Sequence, residues 1–101
     1  MPYLVRLTGR ALRDLEAIYE FIEATTSERA FIWFNELVEA IYSLERLAGR
    51  GAVLPENKKL RQLLFGKKPD TYRIIYTLHK HNRVVNVLHI RHGARNAFKA
   101  E

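Results

Sequence analysis

The chain has 101 residues, 48% apolar and 28% charged, with no cysteine. These proportions fit one compact domain with a modest core, and they exclude a disulfide framework, a thiolate metal site and a cysteine nucleophile. No run of about 18 apolar residues is present, and the opening residues lack a secretory hydrophobic region, so the sequence predicts a cytoplasmic protein with no membrane span and no export signal. The formal charge of +6 is unevenly placed: Met1 to Glu56 carry 6 basic and 9 acidic groups, whereas Asn57 to Ala100 carry 11 basic groups against Asp70 alone. A one-signed half focuses potential and speeds association, which points to nucleic acid or an acidic protein as partner; the plainer reading is that the cations only solubilise strands.

Tyr3 to Thr8 reads as a short strand. Thr8 then stands where an N-cap belongs, because Ala11, Leu12, Leu15, Ile18, Tyr19 and Ile22 recur at the spacing of an amphipathic helix. The polar break Thr25-Thr26-Ser27 places Ser27 as the cap of a second helix, whose stripe is Ala30, Phe31, Phe34, Leu37, Val38, Ile41, Leu44 and Ala48, with Gly49 and Gly51 ending it. So short a break implies an antiparallel helical hairpin. The aromatics Tyr19, Phe21, Phe31, Trp33 and Phe34 are expected in the core, as is Tyr42 at the stripe's margin. Arg50 to Lys59 reads as a loop. From Leu60 onward β-formers concentrate, giving strands at Leu60 to Phe65, Tyr72 to His79 and Arg83 to Arg91, joined by turns at Gly66 to Asp70 and Lys80 to Asn82. The predicted fold is α+β, a single domain over residues 1–101: an N-terminal strand, an antiparallel two-helix hairpin, and a three-stranded antiparallel meander forming a sheet with the helices on one face.

Strand alternation puts Tyr72, Ile74, Tyr76 and Leu78 on one side and Arg73, Ile75, Thr77 and His79 on the other, so Arg73 is expected on the open face. His89 and Arg91 join it if the following loop has three residues, whereas a loop of two or four would place Leu88 and Ile90 there. Gly93 lets the chain turn and Arg95 fold back toward the sheet. Cleaving a phosphodiester through its 2′-hydroxyl needs a base, a donor for the leaving oxygen and cations for the developing charge. Arginines supply the cations. His92, with His89 second, is the natural acid or base, against the blander reading of a surface histidine. A metal shared by His79, His81, His89 and His92 is disfavoured amid so many cations, and neither a metal nor a cofactor is expected. No phosphate-cradling glycine loop and no serine triad pattern is present.

The early strand and helical hairpin, followed by Tyr72-Arg73-Ile74-Ile75-Tyr76 and Val87-Leu88-His89-Ile90-Arg91-His92-Gly93-Ala94-Arg95, make this chain resemble the RelE/ParE family of bacterial type II toxins over almost its whole length. Further likenesses are Ile18-Tyr19-Glu20-Phe21-Ile22, Trp33-Phe34, and Pro55-Glu56 ahead of Leu60-Arg61-Gln62-Leu63. The resemblance implies a growth inhibitor neutralised by a cognate antitoxin, whose acidic, partly disordered segment would fold against the basic sheet face or the helical hairpin. Members resembling RelE cut messenger RNA on the ribosome; members resembling ParE, a plasmid-stabilisation type, inhibit DNA gyrase. In the first case Arg61, Arg73, His92 and Arg95 would surround the scissile phosphate. In either case Arg91, His89, Lys58 and Lys59 are the expected binding residues. Leu63 or Leu64 stands where that branch has a second lysine, and Phe98, the only aromatic beyond Gly93, cannot transfer a proton, so RNA cleavage requires His92 to do so. The long first helix and the His92-Gly93-Ala94-Arg95 ending resemble the ParE branch more closely, and gyrase inhibition is the expected activity.

Overall fold

The structure is a computed structural model that describes residues 2–93. Its elements are β1 (Leu4–Leu7), α1 (Gly9–Phe21), α2 (Glu28–Tyr42), a 3-10 turn (Ser43–Glu45), β2 (Ala52–Leu54), β3 (Asn57–Phe65), β4 (Tyr72–His79) and β5 (Val84–His92). The five strands form one sheet in the order β1-β5-β4-β3-β2. β3, β4 and β5 are the expected antiparallel meander, while β1 lies parallel to β5 along its other edge.

Both helices start where the sequence places their caps. The Thr8 hydroxyl accepts from the Ala11 amide at 3.1 Å and donates to the Leu88 carbonyl at 3.1 Å, so the residue that opens α1 also fastens it to β5. The Ser27 hydroxyl accepts from the Ala30 amide at 3.2 Å. α1 closes with the Ala24 amide donating to the Tyr19 carbonyl and the Glu23 amide to the Glu20 carbonyl, Glu23 taking a left-handed φ of 59°. Tyr19 of α1 meets Phe34 of α2 edge to face, their ring centroids 5.0 Å apart.

The main core is the helix-covered side of the sheet. Ala11 and Ile18 of α1, Leu37 and Ile41 of α2, and Leu44 and Ala48 beyond it pack with Leu63, Tyr72, Ile74, Tyr76, Val85, Val87 and Ile90. Burying side chains of valine, leucine or isoleucine size contributes about 1.5–3 kcal/mol each.

Several expectations need correction. The second helix stops at Tyr42, six residues before the end of its apolar stripe: the Ser43 hydroxyl bonds back to the Ala40 carbonyl and the chain tightens, although Leu44 and Ala48 still reach the core. The segment expected as a loop contains β2 and the first residues of β3, a hairpin whose register shifts at Val53/Leu54. Leu12, Phe21, Phe31 and Tyr42 are exposed, Phe21 to 68%, because each helix has only one side against the sheet and these residues lie off it.

The face opposite the helices is not bare either. Leu54, Leu60 and Ile75 form a second buried cluster there with Leu88 packed against it, Ile75 being fully buried. Irregularities in both pairings bring Leu54 and Leu88 into this group, as bulges do when they re-aim side chains.

Candidate functional site

The β4–β5 register decides which cations share a side. His79 pairs with Val84, so the connection has four residues, Lys80 to Arg83, the last with a left-handed φ of 55°. Loop length alone would set Leu88 and Ile90 beside Arg73. The pairing changes between Ile75 and Tyr76, however, from Tyr76↔Val87 to Ile75↔His89, so Leu88 is the extra residue of a bulge. Beyond it Arg73 pairs with Arg91. Arg73, Arg91 and His89 therefore lie on one side of the sheet, together with Gln62 and Leu64 of β3, their partners being Ile75 and Arg73.

Arg73 is held rather than loose. Its Nε donates to the Gln62 Oε1 at 2.7 Å, which sets the guanidinium plane across β3 and leaves its terminal nitrogens to meet an anion. A cavity of about 540 Å³ opens beside it, lined by Gln62, Leu64, Lys68, Pro69, Thr71, Arg73 and Gly93. Two of these residues are cations. Gly93 passes close over this wall, its amide donating to the Thr71 carbonyl at 2.7 Å; a Cβ there would lie 3.1 Å from the same oxygen and 3.7 Å from the Arg73 Cγ.

The other expected site residues lie elsewhere. His92 pairs with Tyr72 and shares its helix-side orientation: the rings meet edge to face with centroids 5.1 Å apart, and Tyr72 stacks in turn near Trp33. The His92 Nε2 is 3.3 Å from the Asp70 Oδ1, and its side chain is only 13% exposed. Arg61 pairs with Tyr76, which places it on the helix side as well, where its Nη1 donates to the carbonyls of Gly49 at 3.3 Å and Gly51 at 2.9 Å. The expected convergence of Arg61 and His92 with Arg73 is thus corrected by strand alternation itself, since odd residues of β3 face the side opposite to odd residues of β4. Lys58 and Lys59 are exposed at the start of β3, at the far end of the sheet from Arg73. Arg95 lies outside the described residues.

Two residues that brace this region escaped sequence reasoning. Gln62 was legible in principle, because alternation along an antiparallel β3 puts it on the side of Arg73. Asp14 was not: from α1 its carboxylate accepts the Ile90 amide at 3.0 Å, beyond the end of β1, a contact only the helix placement creates. Asp14 borders a cavity of about 390 Å³ between α1 and the end of β5, with Arg10, Phe21, Tyr72, Arg91 and His92. Among the described residues no three histidine, aspartate or glutamate side chains gather as a metal site would need.

Tyr76 is fully buried beneath the loop after α2. Its hydroxyl donates to the Ala48 carbonyl at 2.7 Å and accepts from the Gly51 amide at 2.9 Å. Burial raises its pKa above the ordinary 10.0, only partly opposed by the Gly51 hydrogen bond and by the Arg61 and Arg50 charges.

A five-stranded sheet with a helical hairpin on one side is the fold expected of the RelE/ParE toxins, and comparison with known proteins agrees with it. The family described as the ParE toxin of type II toxin-antitoxin system, parDE, matches residues 5–97, so the chain belongs to that family and is a type II toxin–antitoxin toxin. No curated protein sequence matches it. Among solved structures it is similar to a chain of the RelBE2 toxin–antitoxin complex of Mycobacterium tuberculosis, with 26% identity and a TM-score of 0.66, covering 91% of this chain and 99% of that one. It is similar to a chain of the chromosomal ParDE system of P. aeruginosa, with 23% identity and a TM-score of 0.69, covering 89% and 95%. A variant of E. coli toxin RelE in the free state shares the fold at 15% identity and a TM-score of 0.65, covering 93% and 86%. No described helix is long and apolar enough to cross a membrane.

Proposed function

We propose that this toxin acts by binding, with DNA gyrase as its target in the manner of ParE, and that a cognate antitoxin silences it. The observation that carries the reading is the split of the candidate nuclease residues: Arg73 lies on one side of the sheet, while Arg61 and His92 lie on the other, engaged with loop carbonyls and with Asp70 and Tyr72. A general acid or base must come within about 3 Å of the proton it moves, or one water away, and residues separated by a sheet do not share a scissile bond. The match to the ParE family over residues 5–97 supports the same branch.

The decisive measurement is supercoiling by purified gyrase with the toxin added. Inhibition near stoichiometry is expected, and full activity at a large excess of toxin sinks the proposal. The second reading, a ribosome-dependent endonuclease, is favoured by one feature: Arg73, Arg91 and His89 share a side, with Arg73 oriented beside a cavity. Messages cut within codons on stalled ribosomes would replace the first reading with the second.

The antitoxin proposal draws on the solved relatives, which are toxin–antitoxin systems, and on the chain's own charge of +6. An acidic segment laid on Arg73 and Arg91 gains charge-assisted hydrogen bonds that salt screens over about 8–10 Å. Affinity for the antitoxin is expected to fall at least tenfold between low and high ionic strength in calorimetric titrations; a flat response removes the electrostatic component.

A further inference from the structure

A second cationic site lies at the end of the sheet far from Arg73. There the segment from Arg46 to Arg50, Tyr3, β3 and the turn after β4 enclose a cavity of about 460 Å³. Among the described residues, every charged one lining it is a cation: Arg46, Arg50, Arg61 and Lys80. The hydrogen bonds that orient them go to neutral oxygens. Arg61 reaches the Gly49 and Gly51 carbonyls, and the Arg50 Nη1 donates to the Ser43 hydroxyl at 2.8 Å. Such bonds direct a guanidinium without neutralising it, and the donors they leave over suit an anion with several acceptor oxygens.

The platform beneath these cations is rigid. The loop that carries them is tied to the fully buried Tyr76, whose hydroxyl bonds both Ala48 and Gly51, and a Cβ on Gly51 would come within 2.6 Å of that oxygen. The positive surface also continues past the cavity, since Lys58, Lys59, His79, His81 and Arg83 are exposed at the same end of β3, β4 and β5. A lone phosphate would need only the cavity. A band of cations running on from it matches a chain of regularly spaced charges, and the arginine fork matches phosphate oxygens two at a time.

We infer that the end of the sheet bearing Arg46, Arg50, Arg61 and Lys80 binds the phosphodiester backbone of a nucleic acid, independently of the Arg73 side. Arg61 lies on the helix side of the sheet, opposite Arg73, and Lys80 follows the end of β4, six residues or roughly 20 Å of strand beyond Arg73, so the two sites are separate. The inference does not depend on whether gyrase or the ribosome is the target. It gives Arg61 a duty outside any scissile centre.

The test is fluorescence anisotropy of a labelled DNA duplex of about 20 base pairs, titrated with the full chain at several salt concentrations. If the four named cations each contact one phosphate, log affinity falls against log salt with a slope of about −3.6. The double variant Arg50→Ala/Lys80→Ala, both exposed positions, is expected to bind at least tenfold more weakly and to flatten that slope by about 1.8. Arg13→Ala/Arg29→Ala, which removes the same charge from exposed positions on the helices, is expected to bind within about twofold of the unaltered chain. A single-stranded RNA of equal length separates the two sources of phosphate: tighter binding that is still lost in Arg50→Ala/Lys80→Ala assigns the site to RNA, weaker binding assigns it to DNA. Equal weakening by both double variants would reduce the effect to net charge and overturn the inference. Binding of poly-glutamate in place of both nucleic acids would overturn it too, in favour of an acidic protein.

Discussion

On the helix side of the sheet, polar side chains brace the fold: Tyr76 bridges Ala48 and Gly51, Arg61 bonds two loop carbonyls through one of its nitrogens, and His92 lies between Tyr72 and Asp70. On the opposite side Arg73 is braced by the Gln62 side chain next to an open cavity, with Arg91 its partner across the sheet. The same β-strands therefore supply architecture in one direction and a presentation surface in the other. Charged residues near one another in sequence say little about a shared site until their side of the sheet is known.

This contrast yields measurable differences, the largest at a position that would blur it. Ile75 belongs to the Arg73 side but is fully buried with Leu54 and Leu60, so Ile75→Ala is expected to cost about 3 kcal/mol in urea unfolding. A loss below about 1 kcal/mol would mean that this face carries no core of its own. On the helix side, Gly51→Ala drives a methyl to within 2.6 Å of the Tyr76 hydroxyl and 2.7 Å of the Gln62 carbonyl, and is expected to lower stability by about 2–3 kcal/mol in the same measurement.

Tyr76→Phe leaves the buried Ala48 carbonyl and Gly51 amide without their common partner, a loss of about 2 kcal/mol. This difference depends on pH. Because burial raises the tyrosine's folded-state pKa, its neutral form is favoured by folding, so the contribution is complete below pH 10 and is lost as pH climbs through the raised value. The gap between the native chain and Tyr76→Phe should narrow in alkaline unfolding curves; a constant gap would contradict the assigned cause. The smallest effect on stability is expected for Arg73→Ala, within about 0.5 kcal/mol, while its capacity to arrest growth falls sharply. Full arrest by that variant would show that the Arg73 side does not carry the inhibition.

Local chemistry was the readable part of this chain. Thr8 and Ser27 cap their helices because short hydroxyl side chains satisfy free amides wherever a helix begins, and the bounds of β4 follow from the alternation of Tyr72 to His79. The stripe from Ala30 to Ala48 marked Leu37, Ile41, Leu44 and Ala48 as core, but it also took in the exposed Phe31 and overstated helix length, since burial of Leu44 and Ala48 does not distinguish an α turn from a 3-10 turn. The strand β2 was missed because three residues, only one of them buried, show too little pattern to stand out from a loop.

Sequence by itself determined the α+β class, the order of helices and meander, the caps, and which half of the chain is basic, because each of these depends on residues within a few positions of one another. Only the tertiary structure decided that β1 joins β5 in parallel, that Leu88 bulges to set Arg91 opposite Arg73, and that Asp14 reaches Ile90. A one-residue change of register exchanges the two faces of a strand, and that choice is made by packing between segments as distant as α1 and β5.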